Sequence, residues 1–272
     1  MDPVLARRTW RTLEPVHGMI YFAPEAAERY DALGITGRAG YFASRAAAMG
    51  PVGAELVLAT FFNFPPELVR RCIPGAWDHA TPAQVLDARY SAADAALHRA
   101  FDGADVAEAA TLARRAAEEA AGHMEGRPLF AAHASVPWPD EPRLVLWHAQ
   151  TLLREFRGDG HIAALVAEGI SGIEALVLHV ATGEVPEAAI RRSRPWSDEA
   201  WDAAVEGLRA RGLLDADGLT PAGRAHRQWV EDRTDAAAVV AYEPLGEAGC
   251  ARLRELGRPL SQAVIAAGLL PL

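Results

Sequence analysis

The sequence predicts an all-α protein with one small β-hairpin near its C-terminus. Three observations carry this. Helix-start signals recur along the chain, each a capping residue or a proline ahead of an apolar periodicity. The strict alternation that marks half-buried strands is almost missing. Alanine-rich runs such as "DVAEAATLARRAAEEAAG" favour helix over other states.

Taken in order, "APEAAERYDALG" has Pro24 near a helix start and Gly34 as its stop. "TPAQVLDARYSAADAALHRAF" opens with Thr81 as N-cap and Pro82 at the first helical position, and the alanine-rich run follows it. "EPRLVLWHAQTLLREFRG" begins at Pro142, and "SGIEALVLHVATG" at Ser171, where Glu174 completes a capping box. Between them, Gly158 and Gly160 predict a break: "RGDGH" becomes a tight turn, Asp159 a cap, and His161 the start of a new helix. After Gly183, "EVPEAAIRRSRPW" is a linker or short helix. Ser197 then caps a helix with Asp198 and Glu199 in its first turn, and Gly212 stops it. "LLDADGLT" predicts a tight hairpin around Asp217-Gly218, and Thr220-Pro221 starts another helix.

Self-comparison adds a larger pattern. "YFASRAAAMGPVGAELVLATFF" from Tyr41 overlays "LFAAHASVPWPDEPRLVLWHAQ" from Leu129 without a gap, matching Phe42 to Phe130, Pro51 to Pro139 and Leu56-Val57-Leu58 to Leu144-Val145-Leu146. The expected organisation is a helical ligand-pocket domain over 1–185, with a pseudo-repeat of about 24–100 and 105–182, then a winged-helix domain over 186–272. The repeat sets Arg45 opposite His133 and Thr60 opposite His148. The seam between such halves is a natural concavity.

Composition limits the chemistry. The 272 residues are half apolar, with a formal charge of −9, and all 27 basic residues are arginine. Without lysine there is no Schiff base, hence no pyridoxal phosphate attachment, and no Walker lysine. GxGxxG is missing, which excludes a Rossmann nucleotide, and so is GxSxG. Cys72 and Cys250 form no CxxC. No run approaches eighteen apolar residues, and "MDPVLARRTWRTLEP" has charges where a signal peptide needs an apolar core. A soluble cytoplasmic protein with no membrane partner is expected.

"LRARGLLDADGLTPAGR", Leu208 to Arg224, resembles the end of the recognition helix, the wing and the next helix of MarR-type regulators. More broadly, "LEPVHGMIYFAPEA", "YFASRAAAMGPV", "LWHAQTLLREFRGDGH" and "GLLDADGLTPAGR" resemble an actinobacterial family described as helix-turn-helix, essentially end to end. The resemblance implies fold and a DNA-binding regulator; it assigns no catalytic residues. The charges oppose DNA. The helix before the wing carries Asp198, Glu199, Asp202 and Glu206 against Arg209 and Arg211, and the wing is "DADG". Facing phosphates, that surface is repulsive. The module is therefore expected to serve packing or dimerisation, with a homodimer as the assembly.

The remaining signal is polar residues set in apolar helix. On one helix, His148, Thr151 and Glu155 share a stripe beside Val145, Ala149, Leu152 and Phe156. His161, at a predicted helix N-terminus, is expected to stay neutral. His17 and Tyr21 lie four apart, and Asn63, the sole asparagine, sits among phenylalanines. The expected function is a small-molecule pocket between helices. Its candidate acid–base residues are His148, Glu155 and His161; its candidate ligand-binding residues are His17, Tyr21, Arg45, Asn63, Arg157 and Asp159. Arg45 and Arg157 would orient an anionic group. The histidines lack HExxH spacing, so no metal is assigned; haem stays open through an isolated His17 or His148. The alternatives are a ligand-responsive MarR-like regulator that binds DNA as a dimer, and an interaction scaffold whose histidines are core residues.

Overall fold

Most of the α-helices start at a capping side chain or at a proline. The computed structural model describes residues 1–270. Asp2 accepts a hydrogen bond from the Val4 amide and opens α1 (Pro3–Gly18), and Pro24 opens α2 (Pro24–Ala32), which Gly34 ends at φ 79°. Four short helices follow the same logic less strictly: α3 (Arg38–Ala46), α4 (Ala54–Phe61), α5 (Pro66–Cys72) and, later, α8 (Pro128–Ala134). Thr81 and Gln84 form a reciprocal capping box at the head of α6 (Pro82–Phe101), and α7 (Ala107–Ala120) is the alanine-rich run. These are followed by α9 (Pro142–Ala167), α10 (Gly172–Val180), α11 (Glu187–Ser193) and α12 (Asp198–Ala210). Ser171 with Glu174 boxes α10, and Ser197 caps α12. Strands β1 (Leu214–Asp215) and β2 (Gly218–Leu219) pair antiparallel, then α13 (Pro221–Ala238) and α14 (Gly246–Ala266) complete the fold. The hairpin's two-residue loop is Ala216-Asp217, one position before the expected Asp217-Gly218, because Gly218 pairs with Asp215.

The main departure from the sequence expectation is α9. Gly158 and Gly160 do not break it; the helix runs unbroken for 26 residues, about 39 Å at 1.5 Å per residue. His161 is therefore in a helix interior, and Asp159 does not cap a helix beginning at His161. Instead, Asp159 Oδ2 accepts the Phe130 amide at 2.9 Å, capping the first turn of α8 from outside. A glycine in a helix interior costs about 1 kcal/mol relative to alanine. The helix persists because its surroundings hold it: α13 packs against α9, and a Cβ on Gly160 would reach the Ala237 Cβ at 3.4 Å, the near edge of ordinary contact.

Buried apolar side chains form two clusters. The larger joins α1 through the first half of α9 with Ala241–Leu269 around α14. The smaller runs from Leu165 at the end of α9 through α10, α12 and β1 to Val230 on α13. The 185/186 division of the sequence falls inside this second cluster. We call the first group the body and α10–α13 the hairpin unit. α9 contributes to both clusters and packs on α13.

The two groups meet tightly at one place. A Cβ on Gly172 would stand 2.1 Å from the Phe62 carbonyl oxygen and 2.9 Å from Asn63 Cα, so only glycine fits at the head of α10. Phe62 itself is held at φ 61°, ψ −49°, a region L side chains rarely occupy. Nearby, Trp196 Nε1 donates to the Asn63 carbonyl at 3.1 Å, and Arg38 donates to the Ser193 and Arg192 carbonyls at the end of α11. Among the described residues, no single helix is long and apolar enough to cross a membrane.

Candidate functional site

The polar stripe of α9 is buried, and its Thr151 and Glu155 are tied into a hydrogen-bonded network. His148, Thr151 and Glu155 are at most 2% exposed. Glu155 takes both oxygens to Arg45 Nη2, at 2.8 and 3.0 Å, and one also to Arg154 Nη1 at 3.0 Å. Burial alone would raise the Glu155 pKa; Arg45 and Arg154 outweigh it and hold the carboxylate at about 2. Glu155 is thus a permanent counter-ion. Arg154 also reaches Glu14 at 2.9 Å.

His17 continues this network. Its Nδ1 lies 2.9 Å from Thr151 Oγ1, whose hydroxyl donates to the Trp147 carbonyl at 3.1 Å. Nδ1 therefore carries the ring proton, and Nε2 accepts from the Tyr21 hydroxyl at 2.9 Å. Burial and the surrounding Arg154, Arg89 and Arg45 push the His17 pKa well below its ordinary value, so the ring is neutral. Both of its nitrogens are occupied by protein. His133, opposite Arg45 in the self-comparison, lies with Nε2 3.2 Å from the Arg45 carbonyl.

His148 points elsewhere. Nδ1 lies 2.6 Å from the Tyr90 hydroxyl, Trp138 stands edge-on at 4.6 Å, and Nε2 is buried without a partner among the described residues. Burial, with His133 and Arg114, brings its pKa down to about 3.

A cavity of about 960 Å³ lies between the body and the hairpin unit. Its walls include Arg45, Asn63, Glu155, Arg157, Asp159 and His161, so six of the nine candidate residues converge there. His17 and His148 are not in the walls. Tyr21 lines an adjoining hollow of about 750 Å³, whose walls share Trp10, Arg11, Tyr41, Phe64, Arg154 and Arg194 with the first. The two hollows are parts of one cleft.

Within the cleft, charge is unevenly matched. Arg157 bonds Glu231 at 2.9 Å and Asp235 at 3.0 Å, and Arg7 joins Asp235 at 3.1 Å. With Arg45 tied to Glu155, neither Arg45 nor Arg157 has charge to spare. Arg194 does. It donates to Asn63 Oδ1 at 3.3 Å and Ser193 Oγ at 3.0 Å, and among the described residues it meets no carboxylate. Burial lowers its pKa; Tyr41 opposes that, while Arg45, Arg154 and Arg38 add to it. Tyr41 accepts from Arg45 Nη1 at 3.0 Å. Burial would raise its phenol, but Arg45, Arg194 and Arg154 outweigh burial and bring it below the ordinary value.

Two titratable groups of α9 line the same space. Burial lifts Asp159 to about 6, against the Phe130 amide bond that lowers it. His161 Nδ1 is 2.9 Å from Thr234 Oγ1, whose hydroxyl donates to the Val230 carbonyl at 2.7 Å. That fixes the ring proton on Nδ1 and leaves the Nε2 lone pair without a partner among the described residues. Burial, rather than a helix N-terminus, keeps His161 neutral. No three His, Cys, Asp or Glu side chains are grouped to hold a metal among the described residues.

Tyr41, Arg154 and Arg194 were not among the candidate site residues. Tyr41 stands four residues before Arg45, a spacing that brings the two side chains together on a helix. Arg194, ahead of Trp196, gives no comparable signal. A family model described as a helix-turn-helix family matches residues 6–271. No curated protein and no solved structure matches the chain.

Proposed function

The chain belongs to that helix-turn-helix family, and from this premise we propose that it binds a small molecule in the cleft between its body and its hairpin unit. One observation carries the proposal: a cavity of about 960 Å³ walled by both apolar clusters. Its size is that of ordinary ligand sites, roughly 300–1,000 Å³. The polar groups around it are fixed by salt bridges and hydrogen bonds, so a ligand meets preorganised partners. Binding, not catalysis, is the reading. Glu155 is neutralised by arginines and His148 lies outside the walls, which leaves Asp159 and His161 as the titratable candidates for contact.

The test is a ligand-observed NMR screen of fragments against the native protein and Ile162→Trp, since Ile162 lines the cavity and an indole there would narrow it. Fragments that bind the native chain and are lost in the variant support the cleft. Hits that survive Ile162→Trp, or none at all, contradict it.

Family membership favours a second reading, a ligand-responsive regulator that binds DNA as a dimer. The exposed face of α12 works against it: Asp198, Glu199, Asp202 and Glu206 are all exposed, and Arg209 is paired with Glu206. A gel-shift with the DNA upstream of its own coding region tests this. Specific retardation that weakens steeply with salt would favour the regulator.

A further inference from the structure

We propose that the molecule held in this cleft is an organic anion, its carboxylate or phosphate placed between Tyr41, Arg154 and Arg194. Its apolar part would lie on the aromatic run Phe64–Tyr41–Tyr21. This rests on the cleft reading above and names the chemistry of its ligand.

Charge counting points to it. Glu155 serves Arg45 and Arg154, Glu14 serves Arg154, and Glu231 with Asp235 serve Arg157 and Arg7. Arg194 is left over, as are Arg11, Arg224 and Arg227 in the same walls; of these, Arg194 is the one that lies on Phe64 in the aromatic run. A cation that is largely removed from water and faces other cations is destabilised unless an anion joins it. Donor counting agrees. Nη2 of Arg154, Nη2 of Arg194 and the Tyr41 hydroxyl proton have no acceptor among the described residues. All three residues line both hollows.

The aromatic run fixes how these donors are arranged. The Arg194 guanidinium lies 4.6 Å from the Phe64 ring centroid, Phe64 5.6 Å from Tyr41, and Tyr41 5.1 Å from Tyr21. The Arg154 guanidinium closes the run 5.4 Å from Tyr21. Two cations thus flank a strip of ring faces, with a phenol between them. That is an acceptor-seeking head site beside an apolar wall, which suits an amphipathic anion better than a sugar or a free cation.

The arrangement also couples the two groups of helices. Arg194 follows α11 in the hairpin unit, whereas Tyr41 and Arg154 belong to the body. An anion bonded to all three joins them, and its absence leaves like charges facing one another.

Isothermal titration calorimetry on the full chain tests this with three probes: 3-phenylpropionate, 3-phenylpropyl phosphate and uncharged 3-phenylpropanol. At least one anion should bind more than about tenfold tighter than the alcohol, as expected for charge-assisted hydrogen bonds. Which anion is tighter tells carboxylate from phosphate. Arg194→Gln should abolish the preference and Arg194→Lys should retain part of it. Tyr41→Phe, which removes only the hydroxyl, should weaken the anion by a few-fold and leave the alcohol unchanged. Should Arg194→Gln fail to fold, Tyr41→Phe decides. Equal binding of acid and alcohol, or a preference untouched by folded Arg194→Gln and Tyr41→Phe, overturns the anion and leaves the cleft standing. If no probe binds while fragments still bind and are displaced by Ile162→Trp, the anion is again overturned alone. If nothing binds in either experiment, both fall.

Discussion

Gly172→Ala probes the joint between body and hairpin unit. The added Cβ would stand 2.1 Å from the Phe62 carbonyl oxygen, against an ordinary separation of roughly 3.3–3.6 Å for such a pair. The head of α10 must therefore withdraw by about 1 Å or more. Phe62 cannot yield instead, because it already occupies φ 61°, ψ −49°. Withdrawal strains the Trp196 and Arg194 bonds to Asn63, at 3.1 and 3.3 Å. Overpacking costs about 1–3 kcal/mol and each lost hydrogen bond about 0.5–1.5, while alanine's helix preference returns at most about 1. The net loss is roughly 2–4 kcal/mol, a fall in Tm of roughly 5–15 °C for a chain of this size. Scanning calorimetry beside Gly75→Ala, where an added Cβ meets nothing within 4 Å, gives the comparison. A Gly172→Ala protein melting within about 1 °C of the native chain would refute the packing described for this joint.

Other expectations follow from single groups. Glu155→Gln leaves Arg45 and Arg154 short of their shared counter-ion and should cost about 3–5 kcal/mol in urea unfolding. His133 and His148 titrate at about 4 and about 3 in the fold against 6.5 unfolded. The unfolded chain binds more protons between those limits, so stability falls as pH drops below 6.5. At pH 5 each histidine forfeits roughly 2 kcal/mol. Asp159 works the other way: its folded value of about 6 exceeds 3.8, so the fold takes up its proton first on acidification. That returns roughly 1 kcal/mol between pH 7 and 5, and Asp159→Asn should steepen the acid loss measured by urea midpoints. Gly160→Ala should be neutral or stabilising by up to about 1 kcal/mol, since α9 is continuous there. A turn at Gly160 would make the same change clearly destabilising.

Local chemistry was legible in the sequence where it decides the structure alone. Thr81 with Gln84, Ser171 with Glu174, Ser197 and Thr220 each cap the helix that their spacing indicated, because a cap needs only residues within one turn. Gly158 and Gly160 misled for the complementary reason. Their backbone preference is local, but the packing of α13 against α9 beside Gly160 comes from far away in sequence. The candidate site divided the same way. The α9 stripe and the His17–Tyr21 pair could be read from helical spacing; His17, Tyr21 and Thr151 do bond in series, whereas His148 turns to Tyr90. Which groups border open space could not, since that depends on how α9 and α13 carry the hairpin unit. His148 consequently lies against Tyr90 outside the cleft. Arg45 and Arg157 could be nominated as anion partners only while their carboxylates, one of them 110 residues away, were unseen. Arg194 shows the converse, a residue made important by the absence of any carboxylate near it.

The most direct measurement is a crystal structure of the full chain grown with saturating 3-phenylpropionate. We expect density between α9 and the hairpin unit, with the carboxylate on Arg194, Arg154 and Tyr41. Density only at the outer surface, or an empty cleft under conditions where solution binding is saturated, would contradict a ligand site between the two groups of helices.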